Sequence, residues 1–254
     1  MKKVFITGAN KGIGFATAKL LLQKGYYVYL GSRNFHNGIS AIQELKADGL
    51  KNVECVQIDV TKDSSVKSAR ELLSKKTDVL DVLINNAGIN GGNEPYTALT
   101  AKPDEFQAAF EVNVIGVSRV TQAFMSFLTN SEAPRIVNLS TSVGSLTLQS
   151  DTNWPAYDHA KYAVYAASKA ALNMYTVHLA YELQHTNFKV NAVCPGLTAT
   201  DFTFGNGGDV EIAARRVVRY ATLDKSGPTG KFFSEETNPE TLMIPWLSLI
   251  HISE

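Results

Sequence analysis

Cysteine is scarce in this chain: Cys55 and Cys194 are the only two among 254 residues, in separate apolar segments without CxxC spacing. They offer neither a disulfide framework nor a zinc knuckle, and two buried, reduced thiols are expected. His36, His159, His178, His185 and His251 show no metal-ligand spacing with one another or with the cysteines, so no metal site is expected. A surplus of charge is also missing. Lys plus Arg equals Asp plus Glu at 24 each, which argues against a general nucleic-acid binder, because phosphate neutralisation needs an excess of cations along one face. No apolar stretch approaches the ~20 residues that cross a bilayer as a helix, so no membrane partner is expected. Met1-Lys2-Lys3 is followed by only three apolar residues before Thr7, too few for a signal-peptide core, and a cytoplasmic location is the default expectation. The Ser-rich region near Asp158 and His159 lacks a GxSxG elbow, which removes the usual support for a hydrolase triad.

What is present is alternation. Strand patterns at Lys2–Thr7, Tyr26–Gly31, Val53–Ile58, Val82–Asn85, Arg135–Leu139 and Lys189–Val193 are separated by helical-period runs. The predicted helices are Gly12–Lys24, Ile39–Ala47, Lys62–Lys75, Pro103–Phe110, Val114–Leu128, Ala166–Leu183 and Val210–Thr222, with Lys231–Ser234 as a last edge strand. Parallel strands need crossover connections, so the pattern predicts an α/β fold: a doubly wound parallel sheet of Rossmann type with helices on both faces. Without a repeat, low-complexity tract or interdomain linker, residues 1–254 read as a single domain. Gly205–Gly208 reads as a mobile flap rather than a boundary. Ligands of such sheets bind beyond the carboxyl ends of the strands.

Directly after the first strand comes Thr7-Gly8-Ala9-Asn10-Lys11-Gly12-Ile13-Gly14, opening the first helix. Glycines there permit a tight turn and close approach of backbone N–H groups to a pyrophosphate at the positive helix end. The Gly-x3-Gly-x-Gly spacing resembles the TGxxxGxG signature of the short-chain dehydrogenase/reductase family. Further marks of that family follow in order: Asp59-Val60, Asn85-Asn86-Ala87-Gly88, Asn113, Tyr165-x3-Lys169 and Pro195-Gly196. The stretches RIVNLSTSVGSL and ASKAALNMYTVHLA, with a late GPTGKFF, are most similar to the carbonyl-reductase branch. The resemblance implies a nicotinamide coenzyme on a half of about residues 1–130, and catalysis and substrate binding on about 131–254. It implies that Asp59 bonds the adenine and Asn86 lines the ribose. Val60, Ala87, Gly88, Pro195, Gly196, Thr198 and Thr200 join them as coenzyme-binding residues.

The end of the second strand separates NAD from NADP. A carboxylate there would hold the ribose 2′-OH, whereas a cation would pair with a 2′-phosphate. The strand ends Gly31-Ser32-Arg33 with no carboxylate, and Lys11 supplies a second cation expected to face the same region. NADP(H) is the expected cofactor.

Tyr165 and Lys169 are four apart in a helical run and share one face. A phenol, with a pKa of ~10, is a reluctant acid near neutrality. A cation ~4 Å away at an effective dielectric of ~20 stabilises phenolate by ~4 kcal/mol, enough to move the phenol well toward neutrality before desolvation opposes it. Tyr165 could then exchange a proton with a carbonyl oxygen. The resemblance gives Lys169 a second task, holding the nicotinamide ribose. Tyr157-x3-Lys161 has the same spacing, but Tyr157 follows Trp154-Pro155 and suggests a loop or helix entrance. The family's serine aligns with Thr141 in Asn138-Leu139-Ser140-Thr141-Ser142, and Ser140 or Ser142 serves instead if the loop shifts by one residue. Asn113 matches an asparagine that kinks a helix and holds a proton-relay water, although a plain N-cap would read the same way.

The expected function is NADPH-dependent reduction of a ketone or aldehyde. Its rivals are an alcohol or sugar dehydrogenase running oxidatively and a non-catalytic NADP(H) sensor. The expected partner is a small carbonyl or alcohol substrate. The family often forms homo-oligomers through the helices carrying Asn113 and Tyr165, and the segment Leu146–Tyr162 reads as an insertion near the pocket mouth.

Overall fold

The computed structural model describes residues 1–244 and 246; His251 lies outside them. Seven strands form one sheet in the order β3-β2-β1-β4-β5-β6-β7. They are β1 (Lys3–Ile6), β2 (Tyr27–Ser32), β3 (Val53–Gln57), β4 (Val82–Asn85), β5 (Arg135–Leu139), β6 (Lys189–Val193) and β7 (Phe232–Phe233). Every pairing is parallel, with Val4 opposite Val28 on one side and Val82 on the other. β4 and β5 are buried along their whole length, as expected of parallel strands covered on both faces.

The alternation of side chains divides the core. Val4 and Ile6 join Leu21, Val28, Leu30, Val217 and Val218 on one face. That face is covered by α1 (Gly12–Gln23), α2 (Phe35–Ala47) and α8 (Val210–Ala221). Phe5 points to the opposite face with Leu83, Ile136 and Phe124, beneath α3 (Asp63–Ser74), α5 (Gly116–Thr129) and α7 (Ala163–Glu182). Phe5 and Phe124 meet edge to face at 4.6 Å, a favoured aromatic geometry.

Several boundaries depart from the sequence reading. α2 starts at Phe35 rather than Ile39 because the Asn34 side chain caps it, accepting from Asn37 N at 3.0 Å. The two separate helices expected on either side of Asn113 are one continuous run: α4 (Pro103–Phe110), a π-helical turn at Glu111–Ile115, and α5. α7 starts at Ala163 rather than Ala166, which puts Tyr165 inside its first turn. Leu146–Tyr162 folds as a short helix, α6 (Leu146–Ser150), followed by turns. No helix among the described residues is long and apolar enough to cross a membrane.

Candidate active site

β1 lies between β2 and β4, so the chain winds away in opposite directions and leaves a crevice beyond the carboxyl ends of β1 and β4. The glycine turn occupies that crevice. Thr7 Oγ1 accepts from the backbone N–H groups of Asn86 and Ala87, each at 3.0 Å. Asn86 Nδ2 donates to Thr7 O at 2.8 Å and Gly8 O at 2.9 Å. The resemblance gave Asn86 to the ribose; its amide nitrogen here braces the turn. Gly14 allows this closeness, since a Cβ there would sit 2.5 Å from Asn86 Nδ2 and 2.8 Å from Gly8 O. Lys11 precedes α1 and makes no side-chain cap, so the first-turn N–H groups around Gly12, Ile13 and Gly14 are offered to an anion. That arrangement fits a dinucleotide pyrophosphate.

At the end of β2, Arg33 is exposed and forms no ion pair among the described residues. Burial works against the Asp59 charge, but the Thr61 hydroxyl and N–H, with Arg33 nearby, hold its carboxyl below the usual range. Both Thr61 bonds go to Asp59 Oδ1. Val60 is buried beside it, and its carbonyl accepts from Arg119 Nη1 at 2.6 Å. Lys11, the second cation expected to face this region, has a partner of its own. Its Nζ pairs with Asp201 at 2.7 Å, across the cleft mouth.

β6 leads into Pro195 and Gly196, then into a loop closed on itself by Ala199 N to Gly208 O and Gly208 N to Leu197 O, both 2.9 Å. Gly205–Gly208, read as a flap, therefore returns to a pinned base. Thr198 is buried and bonds Gly196 O at 3.0 Å. The methyl of Thr200 faces Gly12 in the glycine turn.

Tyr165 and Lys169 project from the first turns of α7. Lys169 Nζ lies 5.7 Å from the Tyr165 ring centroid and donates to Leu139 O at 2.7 Å. A Cβ built on Gly88 would lie 3.6 Å from Lys169 Nζ and 3.2 Å from Asn113 Oδ1, so α7, the end of β4 and the π turn converge there. Asn113 is no N-cap. Buried inside the π turn, it accepts from Ile89 N at 2.9 Å and donates to Ile89 O at 2.8 Å and Ser168 Oγ at 3.0 Å. The wide turn is the physical form of the kink that the resemblance implied.

The expected electrostatics of the pair are reversed in this structure. Burial pushes the Tyr165 phenol up, and burial brings the Lys169 ammonium down to about 8. Desolvation outweighs the attraction expected of a nearby cation, and the phenol keeps its proton at neutral pH.

The three hydroxyls of the β5 loop differ. Ser140 is buried, and its Oγ donates to Asn173 Oδ1 at 2.6 Å. Thr141 is half-buried and makes only a long 3.3 Å contact from Val143 N; Ser142 opens the following 3-10 turn. Tyr157 lies outside any helix, with Lys161 Nζ stacked 3.6 Å above its ring.

Over residues 2–207 the chain matches the family described as short chain dehydrogenase. It belongs to that family. Among relatives, it is 30% identical to salutaridine reductase of Papaver bracteatum, with 92% of this chain and 94% of that protein aligned. It is 33% identical to (+)-neomenthol dehydrogenase of Arabidopsis thaliana, with 91% and 95% aligned. The solved salutaridine reductase of Papaver somniferum superposes with a TM-score of 0.81 at 28% identity, covering 92% of this chain and 100% of that one. A nicotinamide coenzyme and oxidoreductase chemistry come with the family.

Around this short-chain dehydrogenase cleft stand further side chains: Phe202, an aromatic residue the sequence offers for an apolar pocket, and two whose roles the sequence reading passed over, Ser168 and Asn173. Phe202 lies 5.4 Å from the Tyr165 ring, centroid to centroid. Ser168 joins Asn113 to the Tyr165 carbonyl. Asn173 holds Ser140. Only the four-residue step from Lys169 to Asn173 could have indicated the last of these.

Proposed function

We propose that this short-chain dehydrogenase reduces a ketone or aldehyde to an alcohol with NADPH, Tyr165 giving the proton. The observation that carries the reading is geometric: the half-buried Tyr165 ring stands 5.7 Å from Lys169 Nζ, on the part of α7 that converges with the end of β4 and the π turn. Reduction needs an acid at the developing alkoxide, and an alkoxide is a far stronger base than a phenolate, so the Tyr165 hydroxyl can give up its proton there even though burial makes it a weaker acid. The names of the relatives, reductase and dehydrogenase, accord with either direction. The bound coenzyme supplies the hydride. Arg33, with no carboxylate beside it at the end of β2, favours the 2′-phosphate and hence NADP(H) over NAD(H). Lys169 holds the nicotinamide ribose, and Thr141, the least committed hydroxyl that aligns with the family serine, polarises the carbonyl oxygen. Asn113 keeps the π turn open for proton resupply.

Phe202 over Tyr165, with exposed Leu146, Leu197 and Phe204 in the flanking segments, gives the mouth an apolar character, which suits a bulky apolar ketone. NADPH oxidation with a panel of cyclic and aryl ketones tests the reading. Tyr165→Phe is expected to lose ~10²–10⁴ in turnover while still binding NADPH, and Tyr157→Phe to keep turnover. Near-normal turnover in the first, with collapse in the second, reverses the assignment. Thr141→Ser should keep most activity and Thr141→Val lose it; full activity in the valine variant moves the role to a neighbouring serine. Coenzyme binding without turnover on any carbonyl would support the sensor instead.

A further inference from the structure

The loop that carries Thr141 is held at both ends by one face of α7. Asn138 Nδ2 donates to Thr176 Oγ1 at 2.9 Å, and Lys169 Nζ to Leu139 O at 2.7 Å. Ser140 Oγ donates to Asn173 Oδ1 at 2.6 Å, and Asn173 Nδ2 donates to Gly144 O at 3.2 Å. One buried amide therefore grips the residue before Thr141 with its oxygen and the residue that ends the 3-10 turn with its nitrogen. The fit is close, since a Cβ on Gly144 would lie 2.8 Å from Lys169 Cβ. From the opposite side, Gln149 Nε2 holds Val143 O at 3.1 Å and Ala160 O at 2.8 Å. Ser140, Val143 and Gly144 are thus tied from outside and the Thr141 and Ser142 carbonyls by the turn itself, leaving the Thr141 and Ser142 hydroxyls as the presented part of the loop. Tyr165, Lys169 and Asn173 recur every four residues along α7, so the helix that carries the phenol also fixes this loop.

We propose that Asn173 is a positioning residue that sets the Thr141 hydroxyl relative to Tyr165, and that Ser140 serves this clamp rather than the substrate. The proposal rests on the reading of Thr141 and Tyr165 given above. An amide that holds two points of a loop fixes an angle as well as a distance, and a misplacement of about 1 Å remote from the reacting atoms can cost ~10²-fold in rate.

The test measures kcat, KM, NADPH Kd, pH profile and melting temperature, with a cyclohexanone or aryl ketone that wild type reduces. Asn173→Ala is expected to lower kcat ~10- to 100-fold, with NADPH Kd within about twofold and an unshifted pH profile. Ser140→Ala should lower kcat in the same manner. The double variant should be no slower than the slower single, because both substitutions break one linkage. Should Asn173→Ala not fold, Ser140→Ala decides alone, since it deletes one oxygen and leaves the Gly144 bond in place. The proposal is overturned if the folded variants keep kcat within about twofold of wild type, or if their losses multiply. Thr141→Val and Tyr165→Phe run alongside. If these two retain turnover, the reading of the site fails; if they lose it while the Asn173 and Ser140 variants do not, only the clamp fails.

Discussion

Lys169 is 4% exposed and has one carbonyl as its hydrogen-bond partner among the described residues, a costly setting for an ammonium group. Its pKa near 8 lies below the 10.5 of an ordinary lysine, so across that interval the unfolded chain holds more protons than the folded one. Stability contributed by this residue must therefore rise with pH between about 8 and 10.5, and the penalty is fully present below 8. Urea unfolding of wild type and Lys169→Met at pH 7.5 and pH 10 checks this. The stability of wild type relative to the variant should rise by an amount on the order of 2 kcal/mol; an equal response of the two proteins contradicts it. At the other end of the cleft, Arg33→Asp should weaken NADPH binding strongly and leave or improve NADH use, measured as Kd and kcat/KM for both coenzymes. If wild type binds the two equally and the variant changes neither, the coenzyme assignment fails. Residue identity and spacing made the Tyr165–Lys169 neighbourhood legible. They did not reveal the direction in which the phenol shifts, because spacing along a helix reports proximity but not how much water the surrounding chains remove. Lys11 illustrates the same limit, since its partner Asp201 is 190 residues away in sequence.

Among the elements, α7 does the most for the site, carrying the phenol, the lysine and the amide on one face. The second Tyr-x3-Lys string was distinguishable from the first by the proline before it, and the turns that follow α6 give the physical reason. Without a helix, Tyr157 and Lys161 stack instead of standing side by side. Lys161 Nζ also donates to Gln149 O at 3.0 Å and Gln149 Oε1 at 3.1 Å, steadying the side chain that holds Val143. Lys161→Ala is expected to change kcat modestly, by no more than about tenfold, well short of the ~10²–10⁴ expected when a general acid is removed. A loss as large as that of Tyr165→Phe would return Lys161 to the active site. The π turn was beyond sequence reading for a different reason. Its signature is one extra residue in a helical circuit, which shifts the apolar register just enough to look like a break between two helices.

On the scale of the whole molecule, the parallel, doubly wound character of the sheet was legible from alternation, because parallel crossovers fit the spacing of strands and helices, whereas the strand order was not. What alternation leaves open is how the two halves of the cleft communicate. The Lys11–Asp201 pair spans them, joining the glycine turn to the 3-10 turn that sets Phe202 over Tyr165. Both partners are exposed, so the link is weak and sensitive to salt. A dinucleotide phosphate bound at the glycine turn would compete with Asp201 for that lysine and so loosen the loop over the tyrosine. The expected consequence is a preferred sequence of arrivals, coenzyme before ketone. Initial-rate studies should find the alcohol product noncompetitive against NADPH and NADP⁺ competitive against it. Lys11→Ala should relax this toward random addition, and a random pattern already present in wild type would show that the bridge imposes no order.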